Sequence, residues 1–196
     1  MAGMSAHPEP TVLKTGSLLV SVPELLDPNF RRTVIYLVAH GEDGTVGVVL
    51  NRMSETAVQN VLPAWAGLTA RPQAMYVGGP VQPSSAMCLG VCRPGVDPRE
   101  VPGTVPVTGS VVLVSLDTDP EEMRGYLSGI RLFAGRAGWT ADQLRSEVDD
   151  GAWRVVPGRD GDVLAGAKTD LWFEVLRRQP WPDRLAAYHP GDLERN

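Results

Sequence analysis

GSLLVSVPELLDPNFRRTVIYLVAHGEDGTVGVVLNR, residues 16–52, is the stretch whose reading decides the fold. It holds three strand-like runs separated by two polar turns. Residues 17–22 (SLLVSV) are apolar and stop at Pro23, which lacks the N–H that a central ladder needs. Leu26-Asp27-Pro28-Asn29 predicts a turn, because Pro presets φ while Asp and Asn bond their own backbone. Residues 33–39 (TVIYLVA) form a nearly continuous apolar run, and continuous apolarity means burial on both faces. Residues 40–44 (HGEDG) predict a hairpin loop with glycine free to take positive φ. Residues 45–50 (TVGVVL) return as the third strand, where Gly47 predicts a bulge or a close backbone approach.

The polar residues of this stretch lie at strand ends. Asp27, Asn29, Arg31 and Arg32 precede one buried strand, Asn51 and Arg52 follow its hairpin partner, and His40 sits at the loop. Antiparallel pairing brings Arg31 and Arg32 to the same sheet edge as Asn51 and Arg52. Two readings follow. Arginine's planar donor fork suits an anion or carboxylate ligand. The same residues also suit an Arg–Asp network that locks the turn, which is the commoner role for arginines at strand ends. Either way, Arg31 or Arg32 is expected to pair with Asp27, with Asn51 close to the turn.

Composition bounds the classes. The chain has 196 residues, long enough for a sizeable core, with 43% hydrophobic and 21% charged residues. A formal net charge of −5 and a pI near 5.2 oppose non-specific nucleic-acid binding, which needs a basic field. Only two cysteines occur, Cys88 and Cys92, so no disulfide framework is expected. On a strand they stand about 13 Å apart, too far to bridge. Both read as buried thiols. No apolar run approaches the roughly 20 residues of a membrane span, and the start lacks a signal-peptide core. A cytoplasmic protein is expected, with a disordered tail over residues 1–12 and a single domain over 13–196.

Along the rest of the chain, Ser54 predicts a helix cap, with Val58, Val61, Leu62 and Trp65 on one buried face until Pro63 interrupts. Residues 74–77 predict a strand ending at Gly78-Gly79-Pro80-Val81. That turn is either a small anion nest or a turn that needs glycine, and the second is favoured because no phosphate-loop pattern surrounds it. Residues 87–91 and 111–116 read as strands, and residues 94–106 as a Pro/Gly loop. Asp117-Thr118-Asp119 reads better as a helix cap than as a metal pair: Asp119 caps, Pro120 opens, Glu122 closes a capping box and Gly129 ends the helix. Residues 130–133 predict a strand leading into a turn over residues 135–139. Thr140-Ala141-Asp142-Gln143 then forms a second capping box. Gly138 and the helix start after it make either a candidate anion site or a structural turn, the second favoured, with Trp139 as a structural anchor. Residues 153–156 predict a strand, and residues 171–178 a helix burying Trp172, Val175 and Leu176. Asp160 and Asp162 lie in a loop that does not fit an EF-hand. The tail from Pro180 either docks as a short helix or binds a partner. His7 and His189 have no ligand companion.

The run DPNFRRTVIYLVAH…GTVGVVLNR resembles the AlgH/YqgE family of bacterial proteins. The blocks MYVGGPV (residues 75–81) and RLFAGRAGW (residues 131–139), followed by Gln143-Leu144, agree with it. The resemblance runs from Gly16 to about Arg178. It implies an α+β fold, with a mixed, largely antiparallel sheet curled into a barrel-like core and flanking helices. It implies no established activity, although one branch carries a transcriptional-regulator label. The chain departs from the family pattern at Met53 (often Pro), Arg136 (usually aromatic) and Asp142 (usually Gly).

No nucleophile elbow, zinc motif or kinase set occurs. The expectation is a small ligand-binding or regulatory module with no catalytic residues, metal or cofactor. Its ligand would be a small anion held near Arg31, Arg32, Asn51 and the glycine turns Gly78-Gly79 and Gly138, with a protein partner left unidentified. One rival is an enzyme using His40 as acid or base and Arg32 to stabilise an anion. The other is a regulator, against which stand the acidic balance and the lack of a helix-turn-helix pattern. A deep pocket holding His40 would favour the enzyme, a positive stripe the DNA binder, and a shallow polar cleft the module.

Overall fold

A computed structural model describes residues 11–188. Most of the expected N-terminal tail, together with His7 and His189, lies outside the described residues. Ten strands form the sheet: β1 (Ser17–Ser21), β2 (Val34–Gly41), β3 (Gly44–Val49), β4 (Met53–Ala57), β5 (Ala74–Val77), β6 (Val81–Cys92), β7 (Thr104–Thr108), β8 (Val111–Val114), β9 (Leu127–Trp139) and β10 (Trp153–Pro157). Their order is β10-β1-β2-β3-β9-β6-β8-β7, with β4 paired to β5 and β5 to β9. The β5–β9 pair is parallel and the rest are antiparallel. The fold is therefore α+β, built on a curled, largely antiparallel sheet.

The apolar runs explain which strands are central. On β2, Val34, Tyr36 and Val38 join one buried cluster while Ile35 and Leu37 join another. Burial on both faces is what the unbroken apolar run demanded. The inner face of the curl is covered by α5 (Leu171–Arg177), which buries Leu171, Trp172, Val175 and Leu176. The outer face near β9 is covered by three four-residue helices, α1 (Val58–Val61), α2 (Pro63–Ala66) and α3 (Pro120–Met123). Beneath α4 (Ala141–Asp149), Leu144 packs with Leu19, Ile35, Leu37, Trp139 and Trp153. Among the described residues no helix is long and apolar enough to cross a membrane.

Glycine permits the tightest contacts. A Cβ on Gly47 would stand 2.6 Å from Ile35 Cγ2 and 3.0 Å from the Tyr36 carbonyl, and the β2–β3 register shifts beside it, between Leu37 and Ala39. The hairpin is tighter than expected. β2 runs through His40 to Gly41, leaving only Glu42 and Asp43 between the strands, and Gly44 takes φ 123°.

Several sequence expectations give way to sheet pairing. Ser54 caps no helix; it lies in β4, and its hydroxyl donates to the Met75 carbonyl at 2.8 Å. The helix waits until Val58, and Val61 is 52% exposed. Pro63 opens α2 rather than breaking a longer helix, as suits a residue with preset φ. Asp119 does cap α3, accepting from the Glu121 N–H at 2.9 Å. That helix stops at Met123 because Leu127 and Gly129 are drawn into β9 against Cys92 and Val91. The turn expected over residues 135–139 is strand: Ala137, Gly138 and Trp139 pair with Gly47, Val46 and Thr45. Gly135, at φ 73°, sits where the β6–β9 register shifts between Val81 and Ala86. Thr140 caps α4, but the Gln143 amide reaches Glu147 (3.1 Å) rather than returning to the cap. Part of the expected Pro/Gly loop is β7, a strand at the end of the sheet, where Pro106 costs no central ladder bond. At the C-terminal end, Asp183–Tyr188 form a 3-10 segment, and Trp181 is 67% exposed.

Trp139 is buried, and its indole N–H donates to Glu147 Oε2 at 3.0 Å; Trp153 donates to the same oxygen at 2.8 Å. The two rings meet edge to face at 6.3 Å. Trp139→Ala is expected to cost about 3–5 kcal/mol, the range for buried aromatics. Gln143→Ala removes a single exposed contact and should cost under about 1 kcal/mol. Thermal melting of both variants checks this, and equal stability of Trp139→Ala and the parent would reject the anchor.

Candidate functional site

The turn after β1 closes on itself. Asp27 Oδ1 accepts from the Asn29 N–H at 2.8 Å, and the Asp27 carbonyl accepts from the N–H groups of Phe30 (3.0 Å) and Arg31 (2.8 Å). The residues after β3 then fasten it. Asn51 donates to the Arg32 carbonyl at 2.8 Å and accepts from the Val34 N–H at 3.0 Å. Arg52 donates to the carbonyls of Asn29 (2.6 Å) and Pro28 (3.2 Å). Asp27, Asn29, Arg32, Asn51 and Arg52 are thus gathered at one corner, as hairpin pairing required.

Of the two arginines expected near Asp27, Arg32 pairs with Asp170 at 3.1 Å, and its guanidinium lies 4.3 Å over the Trp172 ring, while Arg31 donates its backbone N–H to the Asp27 carbonyl. Arg32 takes φ 50°, a left-handed conformation that non-glycine residues seldom hold. Asp170 also caps α5 through the Phe173 N–H at 3.0 Å, and Trp172 donates to the Ser21 carbonyl at 2.9 Å. Arg32 therefore reaches across to a helix more than a hundred residues later, which local turn chemistry could not reveal.

His40 and Gly138 are not part of this corner. His40 lies near the far end of β2, about 20 Å from Val34 at the usual strand rise. Its Nδ1 is 2.7 Å from the Thr45 hydroxyl. Gly138 pairs with Val46 at that same far end. Gly78 and Gly79 press the chain onto β9: a Cβ on Gly78 would stand 2.3 Å from the Gly135 carbonyl oxygen, and one on Gly79 2.3 Å from the Arg136 carbonyl carbon. The Gly78 N–H is committed to Ala134 at 2.8 Å.

Sequence reading passed over the residue with the most unusual surroundings. Arg131 is 0% exposed, yet its guanidinium meets no carboxylate. Nη1 donates to the carbonyls of Ala70 and Pro72, both at 3.0 Å, and Nη2 to those of Leu164 (3.2 Å) and Ala165 (3.0 Å). Its carbon lies 4.4 Å from the Tyr76 ring centre, and burial pulls its pKa below the ordinary arginine value. A signal was present. In Ile130-Arg131-Leu132-Phe133 the apolar neighbours Ile130 and Leu132 share the outer cluster, so strand alternation sends Arg131 inward with Phe133.

Two clefts flank the turn at Gly166-Ala167. One, of about 70 Å³, lies beside the Arg32 corner and is lined by Asn51, Met53, Tyr76, Thr169 and Leu171. The other, about 650 Å³ and more open, is lined by Arg71, Pro72, Gln73, Gly166, Ala167 and Lys168. The segment leading into this turn is fixed by Asp162, which pairs with Arg178 at 2.6 Å and accepts from the Arg159 N–H at 2.8 Å. A third, apolar groove lies between β6 and β8 and reaches Met87, Cys88, Val105 and Leu113. Burial raises the Cys88 thiol pKa well above its usual range, so this cysteine is held as an inert thiol. Cys92 is free as well, and its pKa is also raised.

With the geometry in view, the comparisons with known proteins are informative. A family model described as AlgH-like matches residues 18–183. The chain belongs to the AlgH-like family. A UPF0301 protein of Mycobacterium tuberculosis H37Rv is 52% identical over 184 residues, covering 94% of this chain and 91% of its own length. A UPF0301 protein of Rhodococcus opacus is 53% identical over 192 residues, covering 98% and 95%. Among solved structures, a Corynebacterium diphtheriae protein superposes with a TM-score of 0.88 at 40% identity, covering 91% of this chain and 94% of that one. The solution structure of the AlgH protein from Pseudomonas aeruginosa matches with a TM-score of 0.59 at 26% identity, covering 93% and 90%. The AlgH-like fold is therefore shared across these chains.

Arg131→Met keeps the apolar volume but takes the guanidinium donor from four carbonyls, of which Pro72 retains the Ala74 N–H at 2.8 Å. The expected loss is about 3 kcal/mol or more, since each buried carbonyl left without a donor costs about 1–3 kcal/mol. Arg131→Lys should recover only part of it, since one ammonium cannot span a fork of four acceptors. Urea denaturation measures both, and a Met variant as stable as the parent would refute the role.

Proposed function

We propose that this AlgH-like protein is a small ligand-binding module, without chemistry of its own, that takes a small anion at the Arg32–Asn51 corner. The observation that carries the reading is the exposed Arg32–Asp170 pair beside the 70 Å³ cleft. Trp172 pre-orients the guanidinium from one side. Asp170 holds it only loosely, because the two side chains are 40% and 57% exposed. Exposed pairs of this kind contribute about 0–1 kcal/mol, so a carboxylate or phosphate that engages arginine bidentately competes with Asp170. Asp170 keeps its second role as the α5 cap, and Thr169 and Leu171 on either side of it line the cleft. Occupancy would thereby be felt at the start of α5, which is how binding could regulate.

The two rivals have less support. An enzyme built on His40 and Arg32 needs them within reach of one substrate, yet Arg32 stands before β2 and His40 near its far end, about 20 Å beyond Val34. A DNA reader needs a basic helix, whereas α4, the longest among the described residues, carries Asp142, Glu147 and Asp149 against Arg145.

Titration of isotope-labelled protein with acetate, citrate and phosphate at matched ionic strength tests the proposal. Amide signals of Asn51, Thr169, Asp170 and Leu171 are expected to move saturably, and Arg32→Ala to weaken the response at least about tenfold, the loss of roughly 1.4 kcal/mol. Signals that stay still, or an Arg32→Ala variant that responds like the parent, would reject it.

A further inference from the structure

We infer that the 650 Å³ cleft between Arg71-Pro72-Gln73 and Gly166-Ala167-Lys168 is a second site, one that binds a phosphate group. The inference does not depend on the Arg32 corner. It begins with Arg131, a fully buried cation whose Nη1 and Nη2 donate to four backbone carbonyls while its buried Nε has no partner among the described residues. Three of those carbonyls belong to the peptides Ala70–Arg71, Pro72–Gln73 and Ala165–Gly166. In a planar trans peptide the N–H points opposite the C=O. The N–H groups of Arg71, Gln73 and Gly166 therefore point away from Arg131, and those three residues line the cleft. None of the three has an acceptor among the described residues. The buried guanidinium draws the negative ends of these dipoles to itself and leaves their positive ends facing the cleft. Converging backbone N–H groups of this kind make an anion-binding concavity.

The side chains agree. Arg71 stands on one wall and Lys168 on the other, both exposed, and neither makes an ion pair with a described residue. No acidic residue lines the cleft. Asp170, two residues after Lys168, is engaged by Arg32 and by the Phe173 N–H. In a chain with formal net charge −5, a cleft walled by two such cations and backed by a third is a local reversal of sign. Donors approaching from two walls suit a tetrahedral dianion with three acceptor oxygens better than a planar carboxylate, which a single arginine fork satisfies. The open volume leaves room for a small organic group beyond the phosphate. The ligand class is a phosphate monoester or free phosphate.

The test uses the full chain, labelled for amide detection, with inorganic phosphate, glycerol 3-phosphate and acetate as probes at constant ionic strength. Both phosphate probes are expected to shift the amides of Arg71, Gln73 and Gly166 saturably, with acetate at least about tenfold weaker. Tighter binding of glycerol 3-phosphate would assign the site to esters, and tighter binding of inorganic phosphate to the free ion. Arg71→Ala and Lys168→Ala, both exposed and safe for folding, should each weaken phosphate about tenfold. Arg32→Ala should leave the Arg71 and Gln73 shifts unchanged, which separates failure here from failure at the other corner, since these two residues line only this cleft. Equal responses to acetate and phosphate, unmoved amides, or an Arg71→Ala/Lys168→Ala double variant that binds like the parent would overturn the inference.

Discussion

The structure depends on the guanidinium of Arg131. It is a charge placed inside a curled sheet with no counter-charge, and it persists because four carbonyls and an aromatic face replace the water it lost. In doing so it ties β9 to two segments far apart in sequence, the approach to β5 and the segment before α5. Neither segment is regular, and neither could hold its shape through a local ladder. One long side chain with a rigid donor fork does what a pair of strands would otherwise do.

β9 can support this arrangement because it is the spine of the sheet, pairing with β3, β5 and β6. It combines large apolar groups such as Leu127, Ile130, Leu132, Phe133 and Trp139 with Gly129, Gly135 and Gly138. Gly135 lets the chain take φ 73° where β6 loses register. Gly78 and Gly79 lie so close to β9 that no side chain fits between. The Gly78-Gly79 and Gly135 positions of this chain thus read physically as backbone-to-backbone contacts.

The two corners around Gly166-Ala167 share one logic. Each places exposed cations beside a cleft whose walls are fixed from behind: Trp172 under Arg32, and Arg131 under the Arg71 and Gly166 peptides. Rigid backing means that little side-chain or loop ordering is left to oppose binding. His40, the candidate acid or base of the rival enzyme reading, is a strand residue bonded to Thr45 at the far end of the hairpin.

The sequence by itself determined the strands whose apolar runs are long enough to demand burial, which is why residues 17–22, 33–39, 45–50, 74–77 and 153–156 are legible. It also determined the caps at Asp119 and Thr140, because a cap is a contact within three residues. Hairpin geometry placed Asn51 against Arg32 and Val34, and Arg52 against Pro28 and Asn29, because a tight hairpin returns the end of one strand to the start of its partner. Tertiary structure decided everything that turned on a distant partner. Ser54 became strand because β5 was there to pair with it, and residues 135–139 became strand because β3 and β6 were. Arg32 chose Asp170 over Asp27 because α5 docks over the inner face. The role of Arg131 rests on carbonyls from residues 70–72 and 164–165, brought together only when the sheet curls. Local chemistry is written within a few residues, whereas long-range pairing is a property of the closed fold.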